Sequence, residues 1–291
     1  MAVNNARTIR ATNPGLTLTL VTNMPPTWDF LAAEFDRVVH EDAPDEANRL
    51  AKIGCPSTTT AERVLYLDAD AEVLGDLTPA FAMLDDFDVL LRPFEMPSKF
   101  PHRLGPGLDG QLFPQFMGGI LFFRRSPAAL DLFRRWGSRY ASAGLARDQP
   151  ALARAVHDTP GLRLLPMNAV WGAFATPGNG YPDGRVAPRI YHYADVSNDP
   201  EVLARCIGVL EDIVGRLPAA DAPQVAGTVR RLRRLASPLY RSRITNRAAR
   251  AWWRARDRRA GLDGVDTRKK QPRTAGAALG DPQAPLWDDA A

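Results

Sequence analysis

Over the first 195 residues, short apolar runs alternate with segments whose apolar positions recur at helical spacing, a pattern that predicts strands alternating with helices. That is the signature of an α/β layer fold. A polar helix is predicted over 3–12, a turn at Asn13-Pro14-Gly15 and a strand over 16–22. Residues 35–40 read as a short strand, 47–53 as a helical turn and 64–67 as a buried strand. A helix over 76–84 opens on the capping acid Asp76 and carries Leu77, Phe81 and Leu84 at helical spacing. Further strands are predicted at 87–91, 118–123, 162–165 and 189–193, with helices at 126–140 and 149–157. Ser126 caps the first of these helices and Pro127 takes its first position. The Pro- and Gly-dense stretch 93–114 reads as a long loop and a candidate lid. Beyond Pro200 the pattern is purely helical, and after about Gly261 it decays into Gly, Ala, Pro and charge, which predicts disorder.

Composition narrows the picture without deciding it. A chain of 291 residues with 45% hydrophobic content can bury a real core. Cys55 and Cys206 are the only cysteines, too few for a disulfide scaffold or a thiolate metal site, so a reducing cytosol is the expected compartment. No apolar run approaches the ~20 residues of a membrane span, and the first twenty residues lack the apolar core of a secretion signal. The net charge of +4 is uneven: residues 230–259 hold twelve arginines against the single Asp257, leaving the remainder near −7. A nucleic-acid binder would spread its basic charge over the folded body, so nucleic acid is not the expected partner.

The chemistry concentrates at Val64-Leu65-Tyr66-Leu67-Asp68-Ala69-Asp70. An apolar strand here delivers two carboxylates one residue apart at its carboxyl end, where α/β proteins carry their functional residues. On an extended backbone the two side chains fall on one side, with Ala69 adding no bulk between them. Two hard oxygen ligands so placed suit Mg²⁺ or Mn²⁺ gripping a phosphate. The plainer alternative is a pair of loop carboxylates capping the helix that follows at Asp76.

The segments LTLVT, LYLDADAEVLGDL, GGILFFRRSPAALDLFRRW, DQPAL, LRLLP and IYHY follow one another in a recognisable order. In this series, over roughly residues 4–195, the chain resembles a bacterial GT-A glycosyltransferase of the family 8 type. The resemblance implies a Rossmann-like mixed sheet flanked by helices over 1–200, followed here by a helical, Arg-rich segment over 201–261 and a tail over 262–291. It implies transfer of a sugar from a nucleoside-diphosphate sugar, UDP by expectation and with retention, to a saccharide, lipid or protein acceptor. In such a reaction negative charge develops on the departing phosphate, and a bound divalent cation neutralises it.

By the same resemblance Asp70 is a direct metal ligand, and Asp68 is a ligand that also reaches the donor ribose side, with Ala69 beside the donor. His192 completes the metal site, a role that neutral imidazole can fill. The alternative for His192 is a packed, hydrogen-bonded residue between Tyr191 and Tyr193. Asp148 and Gln149 fall beside the transferred sugar, Asp148 orienting hydroxyls and Gln149 on the β-face of the reacting carbon. Asp148 could instead be simply the N-cap of the helix 149–157, worth about 1 kcal/mol. Gly118 and Gly119 let the sugar approach the backbone, and Lys52 meets a phosphate or sugar carboxylate unless it is a solvated surface lysine.

The chain departs from the family pattern at three places. Met117 stands where relatives carry asparagine at the mouth of the site, which alters the hydrogen bonds offered there. Asp195 and Ser197 stand where a glycine and a lysine would be sought. The family's first strand, with the loop that holds the uracil, precedes the helix read at 3–12, so the expectation is a miscalled start or an incomplete base-binding end.

In the tail, Ile244, Ala248, Ala251, Trp252 and Ala255 recur at helical spacing beside a stripe of Arg243, Arg247, Arg250, Arg254 and Arg258. This basic amphipathic helix suits an anionic membrane surface, and hence a peripheral position at its cytoplasmic face. A solvated helix packed on the catalytic domain and a nucleic-acid contact are its alternatives. Two other functions compete with the transferase. One is an inactive domain of the same fold serving as a membrane-associated binding module. The other is a phosphatase of the haloacid-dehalogenase type, which also places Asp-x-Asp after a strand but follows it with Gly-Thr, where this chain has Ala71-Glu72.

Overall fold

The computed structural model describes residues 1–41, 48–93, 103–105, 108–109, 114–143, 148–174, 188–192, 200–217, 219 and 222–236. The chain divides into two compact units, one including Met1–Ala194 and the other spanning Asp195–Ala278. In the first unit strands and helices alternate as the hydrophobic pattern predicts. The elements are α1 (Ala2–Thr12), β1 (Thr19–Thr22), α2 (Leu31–Glu34), β2 (Arg37–His40), α3 (Asn48–Ile53), β3 (Arg63–Leu67) and β4 (Ala71–Val73). After them come α4 (Thr78–Met83), β5 (Val89–Pro93), β6 (Arg103–Gly105), β7 (Leu108–Asp109), β8 (Phe116–Arg124), α5 (Pro127–Ala143) and α6 (Gln149–Asp158). The unit ends with β9 (Leu164–Pro166), β10 (Ala173–Phe174) and β11 (Ile190–His192).

The central sheet is mixed, in the order β3-β8-β5-β9, with β3 and β5 antiparallel to β8 and β9 parallel to β5. Strand β8 is apolar along nearly its whole length because both its faces are covered. On one face Leu121 and Phe123 join Val89 and Leu91 against Leu132, Phe133, Trp136 and Leu152 of α5 and α6, all buried. On the other, Phe122 meets Phe81 edge-on at 5.4 Å and Trp171 at 5.9 Å between ring centroids. Each such buried side chain stabilises the unit by about 1.5–3 kcal/mol, which fixes the sheet that the site is built upon.

Strand β3 differs from the buried strand predicted for it. It lies at the edge of the sheet, and Val64 to Leu67 are only half-buried. Strands β1 and β2 pair with each other, parallel, in a sheet of their own. Strand β4, which no apolar run announces, forms a third sheet with β11 and β10.

Helix α1 docks onto β4 through polar side chains. The Asn5 carbonyl accepts the Val73 N–H at 3.3 Å, and Asn13 accepts the Leu77 N–H at 2.8 Å while donating to the Gly75 carbonyl at 3.1 Å. These buried amides satisfy backbone groups at the end of β4 and in the chain that leaves it. Ser126 caps α5 as predicted, accepting the Ala129 N–H at 3.2 Å. Of the predicted loop 93–114, Pro93 ends β5, β6 and β7 pair as antiparallel strands, and residues 94–102, 106–107 and 110–113 of that candidate lid lie outside the described residues.

In the second unit α7 (Pro200–Val214) packs against α8 (Ala222–Ala236), burying Leu203, Val209 and Val229. Arg233 Nε donates to Glu211 Oε1 at 2.9 Å, an exposed pair of little energetic weight. The arginine stripe at 243–258 lies outside the described residues, as do Asp195 and Ser197.

Candidate active site

The carboxyl end of β3 turns sharply. The Asp68 N–H donates to the Gly119 carbonyl at 2.8 Å, and the Ala71 N–H donates back to the Asp68 carbonyl at 3.0 Å. The chain is therefore folded at Ala69 and Asp70 and not extended, which corrects the expectation that strand alternation brings the two carboxylates together. It is the turn that does so, with Ala69 exposed at its tip. The turn leads into β4, and the antiparallel register of β4 with β11 sets His192 opposite Ala71. One ligand atom from each of Asp68, Asp70 and His192 then falls within 4.8 Å of the other two. His192 Nε2 lies 3.4 Å from Asp70 Oδ1 and 3.9 Å from Asp68 Oδ2.

Both oxygens of Asp68 are engaged. Tyr66, two residues earlier on β3, donates its hydroxyl to Oδ1 at 2.8 Å, and Lys52 of α3 donates to Oδ2 at 3.0 Å. Burial pushes the Asp68 carboxyl up, but the nearby His192 imidazole, the Lys52 charge and the bonds from Lys52 and Tyr66 outweigh it and hold the pKa below the ordinary value. Asp70 is shifted the other way: burial, opposed by His192 and reinforced by the Asp68 charge, raises its carboxyl. For Lys52, burial would favour the neutral amine, yet the Asp68 and Asp148 carboxylates keep it raised and charged. Tyr66 is pushed well up, chiefly by burial and then by Asp68, so it stays a hydroxyl donor.

Asp148 stands at the N-cap position of α6 without making a side-chain cap bond. Its carboxylate turns into the site instead, buried, with Oδ2 at 3.5 Å from Lys52 Nζ and Oδ1 at 3.8 Å from Arg49 Nε. The capping alternative is thereby set aside for the side chain. The backbone carbonyl of Asp148 accepts the indole N–H of Trp136 at 3.0 Å, which locks the start of α6 against α5. Gln149, half-buried, is the first residue of that helix.

The floor of the site is Gly118-Gly119, at a register shift between β5 and β8: Leu91 faces Leu121 while Pro93 faces Phe116. Glycine is required here by close approach. A Cβ on Gly119 would lie 2.5 Å from Asp68 Oδ2 and 2.9 Å from His192 Nε2, and one on Gly118 would lie 3.0 Å from Asp148 Oδ2. Met117, which the resemblance put at the mouth of the site, is buried, its sulfur accepting from Arg92 Nη1 at 3.0 Å.

Asp68, Asp70 and His192 fit a divalent metal. Two carboxylates and an imidazole converge on one side of a floor kept free of side chains, a donor set compatible with first-row ions of intermediate hardness. Lys52, Asp148 and Gly118 lie on one side of Asp68, and Asp70 and His192 on the other. Lys52 is not the solvated lysine of the plain alternative, its side chain being 13% exposed.

Arg49 and Tyr66 escaped the sequence reading. Both carried a signal: Arg49 precedes Lys52 by one helical turn, and Tyr66 shares a strand face with Asp68.

No protein-family model matches the sequence, and no curated protein matches it. Solved structures do match. The galactosyltransferase LgtC in complex with donor and acceptor sugar analogs superposes with a TM-score of 0.52 and 12% identity, over 76% of this chain and 94% of that one. An active-site mutant of LgtC gives 0.53 over the same shares. The chain has the GT-A glycosyltransferase fold. The glycosyltransferase GlyE of Streptococcus pneumoniae TIGR4 also matches, with a TM-score of 0.48, 18% identity and 68% of this chain covered. The chain spans about half of GlyE, 52% of its length.

Proposed function

We propose that this protein is a metal-dependent glycosyltransferase that moves a sugar from a UDP-sugar to a saccharide, lipid or protein acceptor. One observation carries the reading. Asp68, Asp70 and His192 converge within 4.8 Å, and a buried carboxylate, Asp148, lies across Lys52 from them. Those are the two ends a nucleotide-sugar site needs, one for the diphosphate and one for the sugar. Mn²⁺ held by Asp68, Asp70 and His192 would neutralise the charge that develops on the leaving diphosphate. Gly118 and Gly119 let Asp148, Asp68 and His192 close directly on the strand, which brings the donor these side chains hold near its backbone, and Ala69 offers its own backbone at the exposed tip of the turn. Asp148 Oδ2 makes no hydrogen bond and accepts one from a sugar hydroxyl. Gln149 faces the reacting carbon from the start of α6, and the transfer proceeds with retention.

Calorimetric titration with UDP and Mn²⁺ tests this. Wild-type protein should bind UDP only with the metal, Asp70→Ala should lose that binding, and a panel of UDP-sugars should show turnover that Asp148→Asn lacks. Binding without turnover of any donor would favour the inactive binding module, and phosphatase turnover would overturn the transferase.

No helix among the described residues is long and apolar enough to cross a membrane. We assign the arginine stripe at 243–258 to an anionic lipid surface, each arginine near it contributing about 1 kcal/mol. That places the enzyme at the cytoplasmic face, close to a lipid-linked or envelope acceptor. Co-sedimentation with anionic but not zwitterionic vesicles at low salt is the expected result, and no co-sedimentation would remove the assignment.

A further inference from the structure

The ammonium of Lys52 sits between the two halves of the site. Its Nζ is 3.0 Å from Asp68 Oδ2 and 3.5 Å from Asp148 Oδ2, over the face of Tyr66 at 5.9 Å from the ring centroid. The side chain is 13% exposed, on a stem held in α3. Asp68 Oδ2, the oxygen it holds, is also the one backed by Gly119 and facing His192. Asp148 Oδ2, paired with it at the longer distance, is buried and makes no hydrogen bond.

We propose that Lys52 is a place-holding cation. In the metal-free protein it neutralises Asp68, and when a divalent ion takes Asp68 it shifts to Asp148, so that filling the metal site completes the sugar site. The inference rests on the metal-centre reading above. Two facts drive it. A divalent ion bound by Asp68 puts two positive charges beside Nζ in a mostly water-excluded setting, where repulsion between like charges is strong. A displaced ammonium needs another acceptor, and Asp148 Oδ2, already its ion-pair partner at 3.5 Å, makes no hydrogen bond that closer contact would break. No backbone movement is required, because rotation about the lysine stem covers the distance. Lys52 is thus a positioning residue: it sets Asp148 in the geometry that meets the sugar only once metal is present. Arg49, at 3.8 Å from Asp148 Oδ1 and 35% exposed, supports that carboxylate from the solvent side and leaves Oδ2 to Lys52.

The sign of one measurement separates this from a structural role. If Lys52 merely anchors Asp68, removing it weakens metal binding; if it competes with the metal, removing it tightens binding. Mn²⁺ affinity is measured on the full chain without donor, by electron paramagnetic resonance of the free ion at low ionic strength. Lys52→Met should lower the apparent Kd for Mn²⁺ roughly tenfold, and Lys52→Arg should stay within about threefold of wild type. Asp148→Asn should raise the Kd several-fold, because the ammonium loses its second acceptor. An unchanged or weakened Mn²⁺ affinity in Lys52→Met overturns the proposal. If that variant does not fold, Asp148→Asn decides, an unchanged affinity overturning it. Wild-type protein that binds no Mn²⁺ overturns the metal centre and this inference together. Mn²⁺ binding without turnover of any UDP-sugar removes the transferase reading alone, and the Lys52 comparison still decides.

Discussion

A Cβ on Gly119 would lie 2.5 Å from the Asp68 carboxylate, closer than real Cβ atoms come to any oxygen. Asp68 and His192 are thus packed directly on a strand backbone, and the glycine is a condition of the site rather than of the sheet. Gly119→Ala is expected to push Asp68 off its present position, lowering Mn²⁺ affinity at least tenfold. The flanking strand registers, β8 with β3 and β5, do not depend on this residue's side chain. Titration calorimetry alongside a thermal melt checks this, with binding lost while most of the stability is kept.

Asp70 is costly to the metal-free protein. Its carboxyl is raised, first by burial, so its ionised form is disfavoured in the folded chain and that cost is relieved as pH falls through its raised pKa. Asp68 has the opposite sign: its lowered carboxyl contributes stability that is present above the ordinary value of 3.8 and lost as pH falls through the folded value. Asp70→Asn should therefore raise the melting temperature at pH 7 while abolishing metal affinity. Since the Asp70 side chain is 42% exposed, solvent screening limits the rise to about 1–2 °C. Scanning calorimetry at pH 7 without metal reads it, and the gain should shrink at pH values below the raised Asp70 pKa.

Asn13 ties the end of α1 to the chain leaving β4 by two hydrogen bonds, to the Leu77 N–H and the Gly75 carbonyl. Asn13→Ala leaves both backbone groups without that partner at a cost of roughly 1–3 kcal/mol. Urea denaturation should show the loss, with Mn²⁺ affinity of the folded protein little changed, because the turn at Ala69 and Asp70 keeps its own hydrogen bonds to Gly119 and Ala71.

Cys55 lies buried in the core beside α3, and burial pushes its thiol well up despite the Lys52 charge nearby. A thiol so placed is neither exposed nor ionised at pH 8. Iodoacetamide should leave Cys55 unmodified in the native protein and label it fully in denaturant, as peptide mapping would read. Rapid native labelling would contradict the packing around α3.

Much of the site was legible because its residues belong to strong local patterns. Asp68 and Asp70 follow an apolar run, Gly118-Gly119 opens another, and Asp148 precedes a helix with proline at its second position. The helices at 2–12, 127–143 and 149–158 match their predicted spans to within a few residues, because amphipathic spacing and caps are properties of neighbours in sequence. The short strand β4 was not legible. Three residues make no periodic signal, and Ala71–Val73 is a strand only because β11 pairs with it. The edge position of β3 and the burial of Met117 are of the same kind, since each depends on which segment lies alongside.

By itself the sequence determined the alternation of strands and helices and the presence of an acidic pair after an apolar run, and the order of its motifs carried the resemblance that pointed to His192 and Asp148. Only the tertiary structure decided how those residues meet. A turn and not a pleat brings Asp68 to Asp70, the register of β4 on β11 delivers His192, and Asp148 gives up its helix cap to lie across Lys52 from the acidic pair. The reason is range: propensity and periodicity act over a few residues, whereas the distances between charges are set by strand register and by glycines that let distant backbone segments touch.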